Sequence, residues 1–159
     1  MTDKILEAFA GTRKAGSIAS AALDEVAKIV KPGVTTEQID KLCYAFINDH
    51  KAYSAPLFYR GYPKSCCTSA NHIVCHGIPK DKVLNEGDIV NVDVTALKDG
   101  WHGDTSRMYF VGEVSKKANH LVKTTYEALV KSIKILKKDI HLGDIGSVIQ
   151  KYVEKKGFS

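Results

Sequence analysis

Residues 89–111 restrict what this chain can fold into more than any other stretch. From Ile89 to Leu97 the residues alternate. Val90, Val92, Val94 and Ala96 fall at one parity and Asn91, Asp93 and Thr95 at the other, the period-two pattern of a strand with one buried face. Lys98-Asp99-Gly100 then supplies a turn, and Trp101 to Val111 returns as the partner strand. With Asp99 and Gly100 as the central residues of a type I′ turn, Lys98 faces Trp101 and Thr95 faces Asp104. Opposed residues point to one side of a sheet, so Asp104 shares a face with Thr95 and, diagonally, with Asp93. Two carboxylates that converge in this way call for a raised pKa on one of them or a cation between them. The rival reading is a pair of solvated aspartates on the wet side of an antiparallel sheet, and their pairing argues against it. A one-residue slip in the turn would move Asp104 to the opposite face.

Helices flank this hairpin. Ile18, Ala22, Val26 and Ile29 recur at helical spacing and predict a helix from about Thr12 to Lys31, stopped by Pro32-Gly33. Thr35 and Gln38 have the form of a capping box, ahead of Ile39, Leu42, Cys43 and Phe46 on one face of a second helix ending near His50. Between Lys51 and Pro79 the periodicity fails, and only Asn71 to His76 reads as a strand. Two further helices are expected, from Ser115 to about Lys137 through Val122, Leu129, Ile133 and Leu136, and from Leu142 to Lys156 through Ile145, Val148, Ile149 and Tyr152. Gly157 stands at the stop position of the last. This second helical pair repeats the spacing of the first at a constant offset, as an internal duplication would, although two amphipathic helices can share such spacing by chance.

A chain of 159 residues with 44% hydrophobic residues is long enough to bury one core, so a single domain is expected over residues 1–159. Most of the excess behind the net charge of +5 resides in lysines such as Lys131, Lys134, Lys137 and Lys138, which read as solvated helix faces or, alternatively, as weak affinity for RNA or an acidic partner. Residues 1–11 hold no apolar run of signal-peptide length and no stretch is long enough to span a membrane, which points to the cytoplasm and away from membranes. Four cysteines are too few for a secreted disulfide scaffold and read as reduced thiols. A zinc site from Cys66, Cys67, Cys75 and His72 is disfavoured because adjacent cysteines do not fit the usual ligand spacing.

His76, in Cys75-His76-Gly77-Ile78-Pro79, sits before a proline-terminated loop, where an imidazole can reach into a cleft or merely bond within the loop. His72 and His102 read as surface or hydrogen-bonded loop histidines. Tyr59, Tyr62 and Trp101 either line an apolar pocket or fill a core.

These residues resemble type I methionine aminopeptidases of the pita-bread fold. The resemblance is carried by Gly61-Tyr62-Pro63-Lys64-Ser65, by Ser69-Ala70-Asn71 with Val74-Cys75-His76-Gly77-Ile78-Pro79, by Gly87-Asp88-Ile89-Val90-Asn91-Val92-Asp93-Val94-Thr95, and by Lys98-Asp99-Gly100 with His102-Gly103-Asp104-Thr105-Ser106. It implies an α+β fold, an antiparallel sheet covered by helices, with a first repeat complete and a second cut short. It implies a metallo-aminopeptidase that removes the initiator methionine from nascent polypeptides with small second residues, by attack of a hydroxide held by two divalent cations (cobalt, manganese, iron or zinc). Asp93 and Asp104 would be metal ligands, Asp104 shared by both ions. His76 would be the catalytic residue contacting the substrate, and Tyr59, Tyr62, Cys67 and Trp101 would line the methionine pocket. Where the family usually has a cysteine in that pocket, this chain has Pro56. One histidine and two glutamates would complete the metal site beyond Ser159, so the catalytic domain reads as incomplete at its C-terminus and the 159 residues alone as inactive. The complete protein is expected to be a cytoplasmic monomer working near the ribosome. Two alternatives are a non-catalytic relative that binds RNA or ribosomes and an enzyme of the aminopeptidase P or prolidase kind.

Overall fold

A computed structural model describes residues 3–159. The first two residues of the N-terminal stretch read above as lacking a leader lie outside it. The elements follow the order α1 (Asp3–Ile29), α2 (Thr36–Asp49), β1 (Tyr53–Ser54), a single 3-10 turn at Tyr59–Gly61, β2 (Cys67–Ala70), β3 (Ile89–Lys98), β4 (Trp101–Phe110), α3 (Lys116–Lys134) and α4 (Leu142–Lys155). They form two compact units, residues 1–114 and 115–159. Among the described residues no helix is long and apolar enough to cross a membrane.

In the first unit β3 is the central strand of an antiparallel sheet. Along one edge it pairs with β4 from Lys98↔Trp101 to Ile89↔Phe110, the register expected from the turn. Asp99 (φ 52°) and Gly100 (φ 84°) are both left-handed, as a type I′ turn requires. The other edge is shared, β1 pairing with Ala96 and Leu97 and β2 with residues 90–93.

Val90, Val92, Val94 and Ala96 are fully buried beneath α1 and α2, which contribute Ala19, Ala22, Leu23, Val26, Ile39, Cys43 and Ile47 to the same core. Burying each valine stabilises the fold by roughly 1.5–3 kcal/mol. Small residues on α1 let its backbone come down onto β4. A Cβ on Gly103 would lie 2.0 Å from the Gly16 nitrogen, so glycine is required there. Tyr109 donates its hydroxyl to the Leu23 carbonyl at 2.6 Å, and Arg107 reaches Asp24 at 2.7 Å.

Two sequence expectations are corrected. Helix α1 begins at Asp3, not near Thr12. Gly11 lies within the helix, and the Trp101 ring fills the space a Cβ would take there. Residues 71–76 are not a strand, since Asn71 and His76 both have φ of 55° and bracket a loop. The paired strand is Cys67–Ala70, whose four small residues are all buried and therefore show no alternation.

The capping box of α2 is formed, with Thr35 and Gln38 satisfying each other's backbone N–H groups. In the second unit α3 and α4 pack together, and Tyr152 donates its hydroxyl to Glu127. Gly157 (φ 83°) ends α4, with the Phe158 N–H returning to the Val153 carbonyl at 3.1 Å. Leu129, Ile133 and Leu136, expected on an apolar stripe, are 51%, 56% and 55% exposed.

Candidate metal and peptide site

The polar parity of β3 faces away from α1 and forms the floor of a cleft of about 730 Å3, a size suited to a small ligand or a peptide end. Across that floor Cys67 of β2 opposes Asp93 of β3, which opposes Ser106 of β4. One step along, Thr95 opposes Asp104 and donates its hydroxyl to that carboxylate at 3.0 Å. The hairpin register therefore brings Asp93 and Asp104 together as diagonal neighbours.

Two loop segments form the walls. The first, residues 55–66, is anchored by the Ala55 N–H on the Thr95 carbonyl at 3.0 Å, and Pro56, Tyr59, Arg60 and Tyr62 face the cleft from it. The second carries His76 and Ile78. The Tyr62 hydroxyl ties the two together, lying 3.0 Å from the Cys66 carbonyl oxygen and 3.3 Å from that of Gly77. Gly77 presses directly on β2: the Thr68 N–H donates to its carbonyl at 2.7 Å, and a Cβ there would stand 2.2 Å from the Thr68 oxygen. This close contact, with the left-handed backbone of His76, turns the imidazole toward the cleft.

Beneath the first wall, the buried Asp40 carboxylate of α2 accepts from the Ser65 N–H (2.8 Å), the Ser65 hydroxyl (2.6 Å) and the Cys66 N–H (3.2 Å). It thereby fixes where β2 begins.

Burial, and then repulsion from Asp104, pushes the Asp93 carboxyl up to about 6, while the nearby His76 pulls it the other way. Burial likewise raises the Cys67 thiol, opposed by its bond with Tyr62 and aided by the charge of Asp93. Cys67 is thus a neutral thiol on the floor, not an activated nucleophile. Burial raises the Tyr62 phenol as well, which keeps it a hydrogen-bond donor.

Two repelling carboxylates on a partly desolvated floor fit a divalent cation, whose charge would relieve both. Among the described residues no group of three or more His, Cys, Asp or Glu side chains is placed to hold a metal. Asp93 and Asp104 bring two carboxylates together, and the alternative zinc set of Cys66, Cys67, Cys75 and His72 does not assemble among the described residues. All four cysteines are free thiols.

Of the residues singled out from the sequence, Asp93, Asp104, His76, Tyr59, Tyr62 and Cys67 meet at this cleft, as does Pro56. Trp101 does not. It opposes Lys98 and has the parity of Gly103 and Thr105, so its ring lies on the helix-covered side of the sheet, against Gly11. This corrects its placement in the pocket. His102, read as a surface residue, lines the cleft in its stead, and its parity with Asp104 was the available signal. Arg60 also lines the cleft, and no spacing in the sequence pointed to it.

A family model described as Metallopeptidase family M24 matches residues 10–159. The chain is 53% identical over 151 residues to the methionine aminopeptidase of Rickettsia prowazekii, covering 95% of this chain and 58% of that protein. The crystal structure of methionine aminopeptidase from the same organism superposes with a TM-score of 0.92 at 52% identity, covering 98% of this chain and 61% of that one. That of methionine aminopeptidase from Thermotoga maritima gives 0.93 at 38% identity, covering 99% and 62%. The chain thus spans about three fifths of the length of these relatives.

Proposed function

The chain belongs to metallopeptidase family M24, and from that membership we propose that it serves a metal-dependent methionine aminopeptidase that removes the initiator methionine from nascent polypeptides. One observation carries the reading: Asp93 and Asp104 converge on the floor of a peptide-sized cleft whose edge bears His76.

Asp93 and Asp104 would hold a pair of divalent cations, cobalt, manganese, iron or zinc. When bound, such cations polarise the scissile carbonyl and make a water nucleophilic near neutral pH. Thr95, donating to Asp104, keeps that carboxylate oriented. His76 donates from the wall toward the carbonyl side of the peptide and steadies negative charge as it develops there. Tyr59, Tyr62 and Pro56 on the wall and Cys67 on the floor offer an apolar lining with aromatic rings and a neutral thiol, a surface suited to a thioether side chain. The reading also makes the protein a cytoplasmic monomer that works beside the ribosome on N-termini with small second residues. These finer points rest on the resemblance.

The test is release of free methionine from a Met-Gly-type peptide by the purified full-length protein supplied with a divalent ion. Asp104→Ala should abolish it while leaving the circular dichroism spectrum unchanged. Turnover within tenfold of wild type at matched metal loading would overturn the proposal.

A further inference from the structure

We propose that Arg60 is a specificity-determining residue that recognises a carboxylate on the substrate downstream of the scissile bond, an inference that rests on the aminopeptidase reading of the cleft. Arg60 lies on the cleft wall and is exposed. Among the described residues its guanidinium has no ion pair and no hydrogen bond, in contrast to Lys64 on the same loop, which is tied to Glu37. Its one partner among the described residues is the ring of Tyr59, with the guanidinium carbon 5.5 Å from the ring centroid. Stacking on an aromatic face leaves the N–H groups around the guanidinium rim free, and their planar fork matches a carboxylate.

The position of this cation decides what it can meet. An aminopeptidase places a single residue inward of the bond it cuts, so the rest of the substrate must leave through the mouth of the cleft. The floor carries Asp104 and the half-buried Asp93, whereas Arg60 is exposed on the loop that forms the wall. Arg60 therefore stands not on the floor but on the wall, where the outgoing peptide passes. Its backbone is left-handed (φ 48°, ψ 34°), a conformation glycine or asparagine adopts with less strain. The matching chemistry is a carboxylate, either an acidic side chain soon after the scissile bond or the free C-terminus of a short peptide.

The experiment compares three peptides on the metal-loaded protein: Met-Ala-Glu-Ser amide, Met-Ala-Gln-Ser amide and Met-Ala-Gln-Ser with a free C-terminus. An exposed charge pair favours its ligand by about three- to fivefold. In wild type, kcat/KM should favour the Glu peptide over its Gln amide counterpart by that ratio, expressed in KM more than in kcat because the contact lies beyond the reacting atoms. The ratio should fall to near one in Arg60→Ala, invert in Arg60→Glu and be partly kept in Arg60→Lys. A preference for the free acid over the Gln amide that is lost in the same variants would assign the terminal carboxylate as a second source. A Glu to Gln ratio near one in wild type, or one that Arg60→Ala leaves unchanged, overturns the proposal. If no peptide is cleaved, the aminopeptidase reading has failed. The Arg60 contact is then judged by NMR: the Arg60 Nε–H resonance should move on titration with the Glu amide and not with the Gln amide, and no movement refutes it.

Discussion

With its carboxyl pushed up from 3.8 to about 6 by burial and by Asp104, Asp93 holds a proton in the folded protein over a pH interval in which the unfolded chain has released it. The native state binds more protons there, so the contribution of Asp93 to stability is fully present below pH 3.8 and is lost as the pH rises through 6. The difference in unfolding free energy between the metal-free wild type and Asp93→Asn should therefore shift against wild type between pH 4 and pH 7, as urea titrations at a series of pH values would show. A bound cation requires the ionised carboxylate, so divalent affinity measured by calorimetry should weaken as the pH falls below about 6. His76 should behave differently. His76→Ala is expected to lower turnover by about two to three orders of magnitude while leaving metal content by elemental analysis unchanged, because the imidazole stands in the wall and not on the floor. Trp101→Ala tests the opposite face. Removing a ring that packs on Gly11 should cost about 2 kcal/mol of stability and leave KM for the peptide within twofold.

The elements that carry the site differ in how plainly the sequence announces them. The β3–β4 hairpin is legible down to its register, because a two-residue turn with left-handed Asp99 and Gly100 admits one pairing and a valine parity admits one inward face. That parity also sets Trp101 apart from Asp104 and joins His102 to it, so both were readable from the hairpin alone. The walls were not. Strand β2 is made of Cys67, Thr68, Ser69 and Ala70, with no alternation because it is covered on both faces, and what defines it is the long-range pairing with β3 and the Gly77 contact. The left-handed backbone of His76 and of Arg60 depends on such contacts, which no local spacing encodes. Gly77→Ala should accordingly act on the whole wall: its methyl group would meet the Thr68 carbonyl, and a loss of about 2–3 kcal/mol, read from the urea midpoint, should accompany a drop in kcat/KM as His76 moves. Asp40→Ala reaches the other wall from beneath. It strands the Ser65 and Cys66 N–H groups in the interior and should cost about 3 kcal/mol.

At the scale of the whole molecule, a cation bound by the folded form and not by the unfolded one adds stability by mass action. At a hundred times its dissociation constant, a divalent ion should add about 2.7 kcal/mol and raise the melting temperature, and Asp93→Asn and Asp104→Asn should each remove most of that rise in a thermal scan. The Asp99–Gly100 turn has a consequence of a different kind. Because it joins β3 to β4 with two residues, the two carboxylates are separated by one of the smallest loops a chain can close, and hairpins of this sort form within about 1–10 μs. The walls need contacts spanning tens of residues, such as Asp40 with Ser65 and Ala55 with Thr95, and those close later. The floor of the cleft can thus be assembled while the walls are still unformed. A divalent ion present during refolding would meet its two carboxylates at an early stage and should quicken the folding limb of the chevron more than it slows the unfolding limb.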